Sequence, residues 1–145
     1  VSDIDSAFDR FLAKGRPAYV DKYRVPYNRA IEIIRAAGGI TVMAHPGLLA
    51  VGPGRRIDRL VTLLQAAGLE GIEAYYSEHS PEQSDDYRII AGRYDLLVTG
   101  GSDFHGDIKP AVQMGLGLGN LHVPYRLYEV LAARLRRPAT RTASR

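Results

Sequence analysis

No cysteine occurs among the 145 residues. That single absence excludes disulfide staples, thiolate metal sites and thiol nucleophiles, and it fits a cytoplasmic protein. No stretch approaches the roughly 20 consecutive apolar residues that a membrane span needs, and the first residues lack the basic-then-apolar pattern of an export signal, so no membrane partner is expected. Low-complexity segments are absent too. No Gly-x-x-x-x-Gly-Lys-Ser/Thr run is present to cradle a nucleoside triphosphate. Ser102 stands beside Asp103, but no Gly-x-Ser-x-Gly elbow frames it as a nucleophile. Nucleophilic catalysis by a Ser-His-Asp arrangement is thus a weaker option. Gly115-Leu116-Gly117-Leu118-Gly119 has the wrong glycine spacing for a dinucleotide fingerprint and lacks its strand-turn-helix setting.

What is present suits one globular domain with a core of its own. Apolar residues make up 46% and charged residues 24%, the balance of a soluble protein of this size. The net charge of +3 is less informative than it looks. Five of the 19 basic residues (Arg134, Arg136, Arg137, Arg141 and Arg145) lie in the final twelve positions, and without them the chain is slightly acidic. Residues 138–145 read as a frayed, solvated basic tail rather than a binding surface. The alternative, a nucleic-acid-binding arm, would show affinity that falls steeply with salt.

Apolar periodicity predicts helices and short strands in alternation. A helix over Asp3–Ala13 would carry Ile4, Ala7, Phe8 and Phe11 on one stripe. Pro26 opens a second helix with Tyr27, Ala30, Ile31 and Ile34 inward, and Gly38 closes it. A third carries Ile57, Leu60, Val61 and Leu64 and ends at Gly68. Ser80-Pro81-Glu82-Gln83 is a capping box that starts a fourth, running through Ala91. The last helix is expected from Tyr125 to Leu135. Between them, Ile40–Ala44, Gly71–Tyr76 and Leu96–Thr99 read as strands buried on both faces. Ala36-Ala37-Gly38 recurs as Ala66-Ala67-Gly68, one helix-plus-strand unit later, which implies parallel strands joined by right-handed helical crossovers. An open doubly wound sheet and part of a β/α barrel both satisfy this pattern. Three strands is thin for either, so the chain is expected to be an incomplete unit. Pro46 to Arg55 reads as a loop over a strand end.

Parallel α/β folds gather functional groups beyond the carboxyl ends of their strands. Those ends are His45-Pro46-Gly47, then Tyr75-Tyr76-Ser77-Glu78-His79, then Ser102-Asp103-Phe104-His105, so three of the four histidines meet at one edge. Taken singly, His45 suits a strand cap, His79 a solvated group and Asp103 a turn cap. Taken together they offer imidazole and carboxylate donors of the kind that hold divalent Zn, Mn or Fe. Asp103 and His105 are two apart, so an extended chain turns both to one side. Near the start, Lys14 and Arg16, with Tyr19, Lys22, Tyr23 and Arg24 following, suit a phosphorylated ligand. A solvated basic loop explains that segment equally well.

The segments Gly38-Gly39-Ile40-Thr41-Val42-Met43-Ala44-His45-Pro46-Gly47, Gly71-Ile72-Glu73-Ala74-Tyr75-Tyr76 and Gly100-Gly101-Ser102-Asp103-Phe104-His105-Gly106 together resemble the PHP (polymerase and histidinol phosphatase) domain phosphoesterases. The likeness is to the carboxyl half of that domain, nearest the branch of nucleoside 3',5'-bisphosphate phosphatases and 5'-to-3' RNA exonucleases. It runs from about Ile4 to Val130, and Lys14 to Val20 and Ser80 to Gln83 share in it. The resemblance implies α/β architecture, with parallel βα units forming the carboxyl-terminal part of a distorted seven-stranded β/α barrel over residues 1–137. It implies a cluster of divalent ions (Mn, Zn, Fe or Mg) at the carboxyl face, with His45, Asp103 and His105 as metal ligands and Asp103 and His105 as catalytic groups. Arg16 becomes the candidate for gripping substrate phosphate, with Lys14 and His79 beside it.

The family's leading His-x-His strand, acidic ligand, further His and Glu-His pair have no counterpart in these residues. The expectation is therefore a metal-dependent phosphoesterase whose intact form supplies the other half of the barrel and acts on a nucleotide, a phosphorylated small molecule or short RNA. The alternative is a catalytically incomplete piece that binds a metal or a partner, with exposed strand edges that favour self-association.

Overall fold

The repeated Ala-Ala-Gly endings fold into the same device. Gly38 and Gly68 both take left-handed backbone angles, φ +78° and +110°, which side chains with a Cβ adopt only with strain. At the first, the Gly38 N–H bonds to the Arg35 carbonyl and the Gly39 N–H to that of Ile34. At the second, the Gly68 N–H reaches Gln65 and the Leu69 N–H reaches Leu64. Both are Schellman endings that satisfy the last helical carbonyls and turn the chain back toward a strand.

In the computed structural model, residues 1, 3–49 and 55–136 are described. Five helices and three strands alternate: α1 (Ile4–Ala7), α2 (Tyr27–Ala36), β1 (Val42–Met43), α3 (Arg55–Ala67), β2 (Gly71–Tyr76), α4 (Pro81–Arg93), β3 (Leu97–Gly101) and α5 (Tyr125–Arg136). The strands form one parallel sheet in the order β1-β2-β3, in register Val42 to Gly71 and Ile72 to Val98. The parallel, helix-connected arrangement expected from the 30-residue repeat is present. The basic tail expected over 138–145 lies outside the described residues, as do positions 50–54 of the loop expected between Pro46 and Arg55. Among the described residues no helix is long and apolar enough to cross a membrane.

Helices α3 and α4 share one core with the sheet. Ile57, Val61 and Ile72 have no exposed surface, and Ala74, Tyr87, Ile90 and Leu96 close around them. Each large side chain buried in this way contributes about 1.5–3 kcal/mol through removal from water. Along β2 the sides alternate, Ile72, Ala74 and Tyr76 being buried while Glu73 and Tyr75 are half-buried. Helix α4 starts as expected: the Gln83 N–H donates to Ser80 Oγ at 3.2 Å and the Ser80 N–H to Gln83 Oε1 at 2.9 Å, with Pro81 at the first helical position.

Three boundaries differ from expectation. The helix expected over Asp3–Ala13 is α-helical only across Ile4–Ala7 and then widens into a π turn, Phe8–Leu12. Phe8 and Phe11, assigned to its inner stripe, are exposed. Isolated helices this short gain their stability from packing, and here the stripe is not packed. Strand β1 is two residues rather than five and pairs with β2 at one edge of the sheet. Strand β3 runs two residues further than expected, and both Gly100 and Gly101 pair with β2 beyond a register irregularity between Glu73 and Tyr75.

Candidate active site at the strand ends

Parallel pairing brings the ends of β1, β2 and β3 to one edge, with His45, the Tyr76–His79 segment and Asp103 in sequence across it. Two of these residues are backbone exceptions. His45 has φ +32° and Asp103 φ +53°, and among the described residues only Asp95 is another non-glycine with positive φ. Such conformations cost on the order of 1–3 kcal/mol and persist where surrounding structure enforces them, commonly at functional sites.

Asp103 is the centre of a polar network. Its Oδ2 accepts from Lys109 Nζ at 3.0 Å and from the Tyr76 hydroxyl at 3.2 Å. The same hydroxyl lies 3.2 Å from Glu78 Oε1, which Lys109 also reaches at 3.4 Å. The ammonium thus pairs with two carboxylates that follow β2 and β3, and the phenol donates to one of them at a time. The Lys109 hydrogen bond, and then its charge, holds the Asp103 carboxyl below the usual range despite partial burial. Lys109 is correspondingly held above the usual lysine range, mainly by Asp103. Burial first, and then the charges of Glu78 and Asp103, push Tyr76 up to about 12. At neutral pH the network therefore holds ionised Asp103, charged Lys109 and a protonated phenol.

His105 follows at the rim. Its Nδ1 lies 2.7 Å from the carbonyl oxygen of Asp103 and 3.6 Å from Asp103 Oδ1. A carbonyl only accepts, so Nδ1 carries a proton, and in the neutral ring this is the tautomer common in metal-binding imidazoles. His45 sits 5.5 Å, ring to ring, from Tyr76. Among the described residues, no three His, Asp or Glu groups converge closely enough to hold a metal ion. The three-residue cluster expected of His45, Asp103 and His105 is not closed. Lys109 meets Asp103 Oδ2 at 3.0 Å. The donor types themselves, two imidazoles and an ionised carboxylate, suit a divalent ion.

The candidates for phosphate binding divide. His79 is 8% exposed, and both of its nitrogens are engaged: Nδ1 with the Ala74 carbonyl at 3.0 Å, Nε2 with the Gly47 N–H at 3.2 Å. No ring nitrogen remains for a substrate, so the substrate contact expected of His79 is replaced by a structural one. Lys14 and Arg16 are exposed in the turn after the π segment. Lys14 lines a groove of about 550 Å³ with Phe8, Leu12, Tyr19, Lys22 and Arg24, which lies in the N-terminal segment and not at the strand ends. Tyr19 donates to Asp21 Oδ1 at 2.7 Å within it.

Sequence reasoning missed Tyr76, Glu78, Glu73 and Lys109. For Tyr76 and Glu78 a signal existed: they are two apart at a strand end, the same spacing that marked Asp103 and His105. Lys109 lies in an irregular loop where no periodicity could align it with Glu78, 31 residues earlier.

No protein-family model matches the chain. It is 33% identical over 139 residues to the 3',5'-nucleoside bisphosphate phosphatase of Chromobacterium violaceum, which covers 96% of this chain and 48% of that protein. It is 35% identical over 105 residues to a 5'-3' exoribonuclease of Haemophilus influenzae, covering 72% of this chain and 38% of the relative. Among solved structures, an amidohydrolase from Chromobacterium violaceum with bound sulfate and no metal superposes with a TM-score of 0.66 at 32% identity. The chain is a homologue of the PHP-family phosphoesterases. A metal-dependent phosphoesterase from Bifidobacterium adolescentis also superposes, with a TM-score of 0.67 at 28% identity. The match covers 92% of this chain and 46% of the first structure, 90% and 44% for the second. The chain thus spans about half the length of the PHP-family relatives it matches, and its three-stranded parallel sheet corresponds to part of a phosphoesterase fold.

Proposed function

We propose that the full-length protein is a metal-dependent phosphoesterase that hydrolyses phosphate esters of nucleotides or short RNA, and that this chain contributes one side of its active site. The observation that carries the reading is the ionised Asp103 at the end of β3, held in a left-handed turn by Tyr76 and Lys109 beside a His105 whose Nδ1 is tied back. His45, Asp103 and His105 would hold divalent metal, with further ligands from outside this chain. When bound, such an ion lowers the pKa of a water and screens charge on phosphoryl oxygens.

The chain's own residues then have distinct tasks. Asp103 stays ionised and oriented at neutral pH because Lys109 and the Tyr76 phenol hold it. Lys109 balances the two carboxylates, and Tyr76 remains a donor throughout the physiological range. Arg16 and Lys14, both exposed, bind a non-reacting phosphate by charge-assisted hydrogen bonds. Residues 1–137 form part of a distorted seven-stranded barrel of a cytoplasmic protein, completed by a segment not contained in these residues.

The test is manganese-dependent phosphate release from a nucleoside 3',5'-bisphosphate by the full-length protein. Asp103→Asn is expected to abolish it; release at the wild-type rate would sink the assignment. A second reading has its own support in the absence of a three-donor metal cluster among the described residues: the 145-residue chain alone binds metal weakly or associates with a partner, without turnover. Calorimetry with Mn²⁺ on the isolated chain, run beside the phosphatase assay, separates the two.

A further inference from the structure

The turn that carries His45 leaves no backbone amide unaccounted for, and its partners come from β2. The His45 N–H donates to Glu73 Oε2 at 2.7 Å, a length typical of charge-assisted hydrogen bonds. Pro46, fully buried, has no N–H to satisfy. The Gly47 N–H donates to His79 Nε2 at 3.2 Å, and the Leu48 N–H closes the turn on the His45 carbonyl at 3.0 Å. We propose that Glu73 and His79 form a two-point clamp that sets the left-handed turn of His45, and that both are positioning residues for that imidazole.

Each arm is itself held. His79 must carry its proton on Nδ1, because that nitrogen faces the Ala74 carbonyl. The Nε2 lone pair is thereby fixed toward Gly47. The ring is packed between Tyr76, at 5.1 Å, and Tyr87, at 4.9 Å. Glycine is required at position 47 for the second arm: a Cβ there would fall 2.6 Å from His79 Cδ2 and 2.7 Å from Nε2. The first arm acts on the residue under strain, since a hydrogen bond to the amide of His45 opposes relaxation of its φ of +32°. The clamp stands on this geometry alone; its consequence for metal binding rests on the reading of His45 as a ligand.

The experiment uses the full-length protein with Glu73→Leu, Glu73→Gln and Gly47→Ala, and His45→Ala as reference. It reads the His45 amide proton shift by NMR and Mn²⁺ affinity by calorimetry. Glu73→Leu should move the amide resonance upfield and weaken Mn²⁺ binding by about tenfold, the effect expected when a ligand loses its support. Gly47→Ala, whose Cβ would displace the His79 imidazole and break the second arm, should shift both readouts in the same direction. Glu73→Gln keeps an acceptor oxygen and should retain most of both, a rescue that loss of packing would not produce. Wild-type amide shift and affinity in a folded Glu73→Leu and in Gly47→Ala would overturn the clamp. Should Glu73→Leu fail to fold, Gly47→Ala and Glu73→Gln decide the matter. If His45→Ala binds Mn²⁺ as the wild type does, the ligand reading fails, while the amide shifts still decide the clamp.

Discussion

Replacing Tyr76 by Phe removes one hydroxyl and leaves the ring in a site that is 2% exposed. The phenol carries a single proton, so it donates to Glu78 or to Asp103 at any moment, not to both, although each lies 3.2 Å away. A hydrogen bond to a charged acceptor is worth roughly 1.5–3 kcal/mol. At 3.2 Å this one lies just beyond the usual O–H···O range. The carboxylates also keep Lys109, and their side chains are 24% and 42% exposed for Asp103 and Glu78, so neither is stranded by the substitution. The expected loss is therefore about 1 kcal/mol at pH 7, read as a drop of about 4 °C in Tm for a chain of this size.

The pH profile sharpens this prediction. Asp103 titrates below its ordinary value in the folded state, so its contribution is present above its unfolded pKa and disappears as acid protonates it. Tyr76 behaves in the opposite sense: it is raised from 10.0 to about 12, so its contribution is intact below pH 10 and is lost as the pH climbs toward 12. The stability gap between wild type and Tyr76→Phe should form a plateau between these limits and close at both ends. Urea denaturation across the pH range measures it. A gap that is absent at pH 7, or that persists unchanged at high pH, would refute the network.

Two further outcomes follow from packing and capping. Ile57→Ala empties a site with no exposed surface at the centre of the α3, α4 and β2 core, and equilibrium unfolding should show a loss of about 2–5 kcal/mol. Ser80→Ala removes the acceptor for the Gln83 N–H at the start of α4; thermal denaturation should report a loss of about 1 kcal/mol.

Much of the architecture was legible because it depends on local chemistry. Gly38 and Gly68 mark helix ends by φ alone, and Ser80 with Gln83 marks a helix start by reciprocal hydrogen bonds. Alternating buried positions on β2 follow from the pleat. The first helix was misjudged for the converse reason: Phe8 and Phe11 have helical spacing, but spacing promises burial only where a surface exists to receive it. His79 was misjudged similarly, since a histidine at a strand end reads as accessible until Ala74, Gly47, Tyr76 and Tyr87 are seen to enclose it.

The amino-acid sequence by itself determined the order of helices and strands, their parallel sense and the sheet edge at which the segments following the strands emerge. These depend on periodicity and caps, which act within one helix-plus-strand unit. Only the tertiary structure decided which groups touch there: that Lys109 joins Glu78 to Asp103 across 31 and six residues, and that Glu73 reaches the His45 amide across 28. Hydrogen bonds are specific to tenths of an ångström, whereas sequence spacing places a residue only on a face or at an end. Contacts between loops that no periodicity constrains become visible only once the sheet has brought the strand ends together.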